Sequence, residues 1–353
     1  MNVSVDLARS PGTLRSKLVG IYSLLALFNV GVWVWAYLAL RGHPLLFGTA
    51  ILAYSFGLRH AVDADHIAAI DNVTRKLMQE GKRPVTVGFF FALGHSAVVV
   101  LVAFGVAITA SALQQRVEGW KAVGGVISTS VSALFLFLVA AMNIVILRGV
   151  WRAFRRVRRG ESYSEDDLDL LLSSRGLLSR LFRPAFKMVS SAKWMFPLGF
   201  LFGLGFDTAT EVTLLGLSAS QAQQGFSLGV IMLFPALFAA GMSLVDTTDG
   251  VLMLGAYEWA FVRPIRKLYY NVVITLVSVL VAVLIGGIET LGLLAGKFKL
   301  DGGMWEFVGA LNENFNNLGF AIIGVFVLAW ALSFVFYQLM GYDSQDASQN
   351  KSA

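Results

Sequence analysis

Cysteine is absent from the 353 residues. That excludes disulfides, thiolate metal sites and cysteine nucleophiles. Charge is scarce too: Asp, Glu, Lys and Arg make up 14% of the chain, against about 25% in an ordinary soluble domain. Histidine occurs four times, as His43, His60, His66 and His95. No Gly-x4-Gly-Lys-Ser/Thr phosphate loop is present, and Gly292-Leu-Leu-Ala-Gly296-Lys297-Phe298 does not fit one, so direct use of ATP is not expected. His-Glu-x2-His is missing as well, which argues against a metallohydrolase of that kind.

What fills the chain is apolar. Hydrophobic residues reach 56% and the mean hydropathy is +0.69. A water-soluble fold of that balance would expose far too much apolar surface, so the expected class is an all-α integral membrane protein in contact with the lipid bilayer. A span takes about 20 largely apolar residues. Eight are read, near 19–40, 45–74, 85–109, 122–148, 194–219, 228–257, 269–296 and 318–340. The first is too long for a signal-peptide core and is taken as an uncleaved helix. The chain then divides into a tail over 1–18, helices one to four over 19–148, a basic loop over 149–193, helices five to eight over 194–340, and a tail over 341–353.

The net charge of +6 reports topology rather than nucleic-acid binding. With the N-terminus inside, 22 of the 28 Lys and Arg fall on inner segments, five on outer loops, and Arg59 within a span. Both termini are therefore expected in the cytoplasm. The long loop opens on a basic run from Trp151 to Arg159 and continues through an acidic stretch from Glu161 to Asp169. It reads as an inside-retention signal with an interfacial amphipathic segment.

Seven carboxylates lie within spans: Asp63, Asp65, Asp71, Asp207, Glu211, Asp246 and Asp249. Each costs several kcal/mol unless paired or facing water, so each is a functional candidate. Glu258 and Glu289 sit near span ends and are expected to snorkel. The second span carries His60-Ala-Val-Asp63-Ala-Asp65-His66-Ile-Ala-Ala-Ile-Asp71-Asn72. Imidazole and carboxylate together suit a divalent transition metal. At about 100° per residue, His60, Asp63 and His66 spread over about 120° of arc, while Asp65 points nearly opposite. One regular helix cannot aim all four at one ion. Either the helix breaks here or Asp65 meets another neighbour. Arg59 would repel a cation and is expected to turn away and neutralise a carboxylate.

His95, beside Gly94 and Ser96 in the third span, is either a ligand from a neighbouring helix or a packing histidine. In the fifth span Asp207 and Glu211 share a face at i, i+4 and would repel unless a proton or cation sits between them. Met242, Asp246, Asp249 and Met253 form one stripe in the sixth, where the thioethers read as packing. Gly57-Leu and Gly94-His-Ser recur as Gly203-Leu and Gly241-Met-Ser at offsets of 146 and 147 residues. The two copies run in opposite directions across the membrane, which suggests an inverted repeat relating helices two and three to helices five and six.

His60-Ala-Val-Asp-Ala-Asp65-His66 with Ile-Ala-Ala-Ile-Asp-Asn resembles the second-helix signature of the nickel/cobalt transporter family. Leu204-Gly-Phe-Asp207-Thr-Ala-Thr-Glu211, Gly94-His95-Ser96 and Gly241-Met-Ser-Leu-Val-Asp246-Thr-Thr-Asp249-Gly look like its other signatures, in the expected spans and order. The likeness covers nearly the whole chain and is nearest to bacterial high-affinity nickel permeases. It implies uptake of Ni²⁺, and in some members Co²⁺, across the bacterial cytoplasmic (inner) membrane, with the ion as cargo and no cofactor. It implies a central role for His60, Asp65 and His66, a polar residue in the first helix that Asn29 matches, and a selectivity position at Val62, as in the more nickel-selective members. With the residue reading, the metal set becomes His60, Asp63, Asp65, His66, His95, Asn29, Asp207, Glu211, Asp246 and Asp249, with Ser96, Thr208, Thr210 and Asp71 as supports. The rivals are a divalent-metal exporter or proton-coupled antiporter and, more remotely, an intramembrane metalloenzyme.

Overall fold

The computed structural model describes residues 11–109, 114–158, 190–204, 209–260 and 264–339. These form eleven α-helices and one short 3-10 turn, with no strand among them. In order the helices are α1 (Pro11–Leu40), α2 (Pro44–His60), α3 (Ala64–Gln79), α4 (Val87–Thr109), α5 (Gln114–Arg158), α6 (Met195–Phe202), α7 (Ala209–Gln223), α8 (Leu228–Ala260), α9 (Pro264–Phe298), α10 (Gly303–Glu313) and α11 (Phe315–Leu339). Helix satisfies its own backbone polar groups, which is what hydrocarbon demands. Large apolar side chains stand outward, Leu27 at 73% and Leu134 at 71% exposure. That surface suits lipid rather than water.

The protein is thus an all-α, multi-pass membrane protein. Five stretches are long and apolar enough to cross unbroken: Leu14–Leu40, Val87–Ile108, Val123–Arg156, Leu228–Tyr257 and Tyr269–Phe298. Two more pass as bent pairs, α2 with α3 at 52° and α10 with the Asn317–Ser333 part of α11 at 79°. The expected span over 194–219 is two short helices, α6 and α7, on either side of 205–208. Helix α5 runs on past 148 to Arg158, so the start of the expected loop is helical and carries Arg152, Arg155 and Arg156 exposed. The remainder of that loop and both polar tails lie outside the described residues, apart from the edges at 11–18 and 190–193.

The break after α2 has a local cause. Ala61 stays near helical geometry, but Asp63 turns extended (φ −65°, ψ 146°) and starts α3 as its N-terminal cap residue, a position that favours Asp. Its carbonyl accepts the Ile67 N–H at 3.2 Å, while its side chain turns back toward His60.

Two close helix crossings position everything else. A Cβ on Gly57 of α2 would strike the Phe238 carbonyl of α8, and one on Gly241 of α8 would sit 2.7 Å from the Tyr54 carbonyl oxygen. On the other side, Gly94 of α4 meets the Phe196 carbonyl of α6, and Gly203 lies so near α4 that a Cβ would be 2.9 Å from the His95 carbonyl oxygen. Small residues let membrane helices approach in this way. The offsets of 146 and 147 residues carry Gly57 onto Gly203 and Gly94 onto Gly241, so one crossing corresponds to the other. Both crossings flank the break in α2–α3 and the 205–208 interval.

Candidate metal centre

Three histidines meet where those elements converge. His60 ends α2, His66 lies in the first turn of α3, and His95 comes from the middle of α4. Their exposures are 2%, 0% and 3%. The three ring centroids lie 4.8 Å from one another, and one nitrogen from each ring falls within 4.8 Å of the others. Phe91 stands edge-on to His66 at 4.7 Å and Phe238 packs on His60 at 5.5 Å, so aromatic walls close the cluster.

Carboxylates stand behind the rings. His60 Nδ1 lies 2.8 Å from an Asp63 oxygen, and His66 Nδ1 lies 3.3 Å from Asp246 Oδ1. A neutral imidazole that turns its Nδ1–H to a carboxylate keeps its lone pair on Nε2, and the carboxylate raises its strength as a ligand. His66 Nε2 has no hydrogen-bond partner among the described residues. His60 Nε2 is 3.0 Å from His95 Nε2, which is in turn 2.8 Å from Glu211 Oε1. Glu211 Oε1 also lies 3.7 Å from His60 Nε2. Two ring nitrogens at that separation share one proton or one cation. Packing histidines would have their nitrogens satisfied, yet among the described residues His60 Nδ1, His66 Nε2 and His95 Nδ1 make no hydrogen bond, His60 Nδ1 being only in ion-pair reach of Asp63. The cluster offers buried nitrogen ligands and a carboxylate, a donor set for a divalent transition metal.

The other sequence candidates fall in different places. Asp65 lies off the ring cluster, half-buried, with Oδ1 accepting the His66 backbone N–H at 2.9 Å. The break lets His60 and His66 meet while Asp65 caps the start of α3 through the His66 N–H. Asp249 is half-buried one turn beyond Asp246, with Oδ2 unpartnered among the described residues. Asp71 accepts hydrogen bonds from Tyr257 and Ser278 instead of facing the rings. Asn29 also sits elsewhere. Its amide donates to the Leu25 and Ala240 carbonyls and accepts from the Tyr54 hydroxyl at 2.9 Å, so it ties α1 to α2 and α8. Ser96 and Thr210 are buried beside His95 and Glu211 in sequence. Val62 lies in the break, its carbonyl against Gly319 of α11. Asp207 and Thr208 lie outside the described residues. Arg59 is exposed, and Met242 is buried in the apolar core.

Some features were not read from the sequence. The Phe91 and Phe238 walls carry no signal beyond hydrophobicity. Glu289, expected to snorkel, is instead 5% exposed and accepts from the Ser132 hydroxyl at 2.7 Å. A serine on α5 facing α9 makes that burial affordable, and no spacing rule links the two. Arg75 and its polar neighbours, counted only toward topology, form a buried network.

A family profile described as high-affinity nickel-transport protein matches residues 46–336. A high-affinity nickel transport protein of Cupriavidus necator is 58% identical over 337 residues, covering 96% of each chain. The hydrogenase nickel incorporation protein HupN of Bradyrhizobium diazoefficiens is 53% identical, over 88% of this chain and 81% of that one. The cobalt transport protein NhlF of Rhodococcus rhodochrous is 41% identical, over 93% and 94%. No solved structure matches the chain. By the extent of the profile match and the identity of these relatives, the chain belongs to the high-affinity nickel-transport protein family.

Proposed function

We propose that the protein is a secondary permease that carries Ni²⁺, and Co²⁺ as a second cargo, inward across the bacterial cytoplasmic membrane. The observation that carries this reading is the triangle of buried imidazoles with carboxylates behind two of them. His60, His66 and His95 replace water around the ion, and Glu211 supplies negative charge beside them. Asp63 and Asp246 hold the rings of His60 and His66 in the tautomer that ligates. Asp249 continues the polar path along α8, with the N-terminus and the basic segments on the cytoplasmic side.

A membrane potential favours inward movement of a divalent cation by about 4.6 kcal/mol per 100 mV, twice the single-charge figure. That suffices to drive uptake without a nucleotide, and the chain is read as a carrier rather than an enzyme. Ligand type alone does not select nickel, because Cu²⁺ binds such donors more tightly; selection rests on geometry and metal supply. The test is accumulation of radiolabelled Ni²⁺ in transport-deficient cells. The intact chain should restore uptake and His60→Ala should abolish it. No metal-dependent uptake by the intact chain, or normal uptake by the variant, defeats the reading. Net efflux under an inside-negative potential would identify an exporter.

A further inference from the structure

Beyond the histidines a second polar cluster spans four helices. Asp71 of α3 is fully buried and accepts a short hydrogen bond from Tyr257 of α8 and one of 2.8 Å from Ser278 of α9. One turn on, Arg75 is 1% exposed. Its Nη1 donates to Thr275 Oγ1 of α9 at 3.1 Å and its Nη2 to Asn72 Oδ1 at 3.0 Å, while Nε has no hydrogen-bond partner among the described residues. Asn143 of α5 donates to the same Asn72 oxygen at 2.7 Å, and the Thr275 hydroxyl donates to Asn271 Oδ1 at 3.0 Å. One arginine thus knots α3 to α9 and, through Asn72, to α5.

The partners of that guanidinium are neutral. Among the described residues no carboxylate lies within salt-bridge distance of it. A buried charge without a direct counter-ion is held at high cost. What balances Arg75 is the carboxylate of Asp71, one turn back on its own helix. A divalent cation bound at the rings enters the same field with the opposite effect. At about 1.5 Å per residue, Arg75 lies about 14 Å beyond His66 along α3. At an effective dielectric of about 20, a doubly charged ion at that distance shifts the balance of a single positive charge by up to about fiftyfold. Water and salt at the open end reduce the effect.

We infer that Arg75 is the tethered cation of an inner seal, which cargo at the histidine site displaces toward the cytoplasm. This rests on the reading above that metal binds at the histidines and moves inward. Neutral partners suit such a part. Only ordinary hydrogen bonds break when the side chain leaves, and its charge is hydrated once outside. Arg75 acts through the seal and is not a ligand.

The absence of cysteine gives a direct test. Thr74 is fully buried, its Oγ1 has no hydrogen-bond partner among the described residues, and it lies beside Gly250 of α8 in the sealed region. Thr74→Cys therefore introduces one reporter thiol of similar size. A membrane-impermeant maleimide is applied to inside-out vesicles of the full chain, with and without Ni²⁺. Nickel should raise labelling about tenfold in Thr74→Cys. Adding Arg75→Gln should remove the nickel dependence while equilibrium Ni²⁺ binding persists, and Arg75→Lys should retain it.

The inference is overturned by an equal nickel response with Arg75→Gln, by no response in Thr74→Cys although nickel binds, or by loss of nickel binding with Arg75→Gln. Failure of Arg75→Lys to respond overturns it too, because the charge is then not what matters. His60→Ala separates this from the proposed function. Undiminished nickel binding by that variant defeats the histidine site itself, whatever the thiol reports.

Discussion

Asp246→Asn tests the idea that a carboxylate behind a ring sets the strength of the ring as a ligand. Asp246 is fully buried and touches His66 Nδ1 at 3.3 Å through one oxygen. The amide keeps the shape, and its oxygen still accepts the Nδ1–H, so the tautomer survives while the charge is lost. Adding the width of an imidazole and a metal–nitrogen bond places the carboxylate about 7 Å from a bound ion. At an effective dielectric of about 20, a single negative charge there attracts a doubly charged ion by about 5 kcal/mol, which is a ceiling. Measured losses for removing such orienting groups run to about 10–100-fold in metal affinity, or about 1.4–2.7 kcal/mol, and that is the expected range.

The assay is equilibrium binding of radiolabelled Ni²⁺ to purified protein in lipid nanodiscs, run as a double-mutant cycle with His66→Ala. If Asp246 acts only through the ring, Asp246→Asn costs its full amount in the parent and less than about threefold in the His66→Ala background. Unchanged affinity in the single variant refutes the relay. So does an equal loss in both backgrounds, because Asp246 would then act on the ion without the ring.

Three further outcomes follow from the same geometry. Imidazole must be neutral to bind a metal, so Ni²⁺ affinity should weaken as the pH is lowered; affinity that rises as the pH is lowered contradicts imidazole ligation. Gly57→Ala forces a methyl into the Phe238 carbonyl and should cost about 1–3 kcal/mol in thermal unfolding, whereas Gly105→Ala, with open space around it, should stabilise α4 by up to about 1 kcal/mol; equal melting shifts would remove the close crossing. Asn29→Ala should cost about 1 kcal/mol of stability and leave Ni²⁺ affinity within about twofold, because the amide is engaged by Tyr54 and two carbonyls; a large loss of affinity would return Asn29 to the ligand set.

The helical wheel over His60–His66 left two readings, a broken helix or an Asp65 that meets another neighbour, and the structure shows the break. Its angle was not legible. Hydropathy reads twenty apolar residues the same whether they run straight or bend by 52°. It also passes over α10, whose Glu306, Asn312 and Glu313 dilute the apolar signal. The carboxylates were legible as a set, since each is costly in a span. Which one serves which ring was not, because Asp246 reaches His66 across 180 residues and Glu211 reaches His95 across 116. Arg75 was misplaced for a simpler reason. A basic residue near a span end reads as a topology signal, and only packing shows it buried. Asn29 shows the reverse case, a polar residue in a span whose hydrogen bonds go to other helices.

The break also explains why the site has to be built this way. Histidines six residues apart on one straight helix would stand about 9 Å apart along its axis and about 120° around it. Unwinding 61–63 puts the end of α2 opposite the first turn of α3 and brings the two rings to 4.8 Å. Irregular backbone inside a membrane is tolerable only where protein covers it, and α11 covers it here, with Gly319 against the Val62 carbonyl. The same opening places the N-terminal ends of α3 and α7, with their partial positive charge, beside Asp63, Asp65 and Glu211. Those carboxylates stay at membrane depth with local support even before an ion arrives. The ligand set therefore depends on one angle, the bend between α2 and α3. A motion that straightens that bend pulls His60 from His66 and dismantles the site.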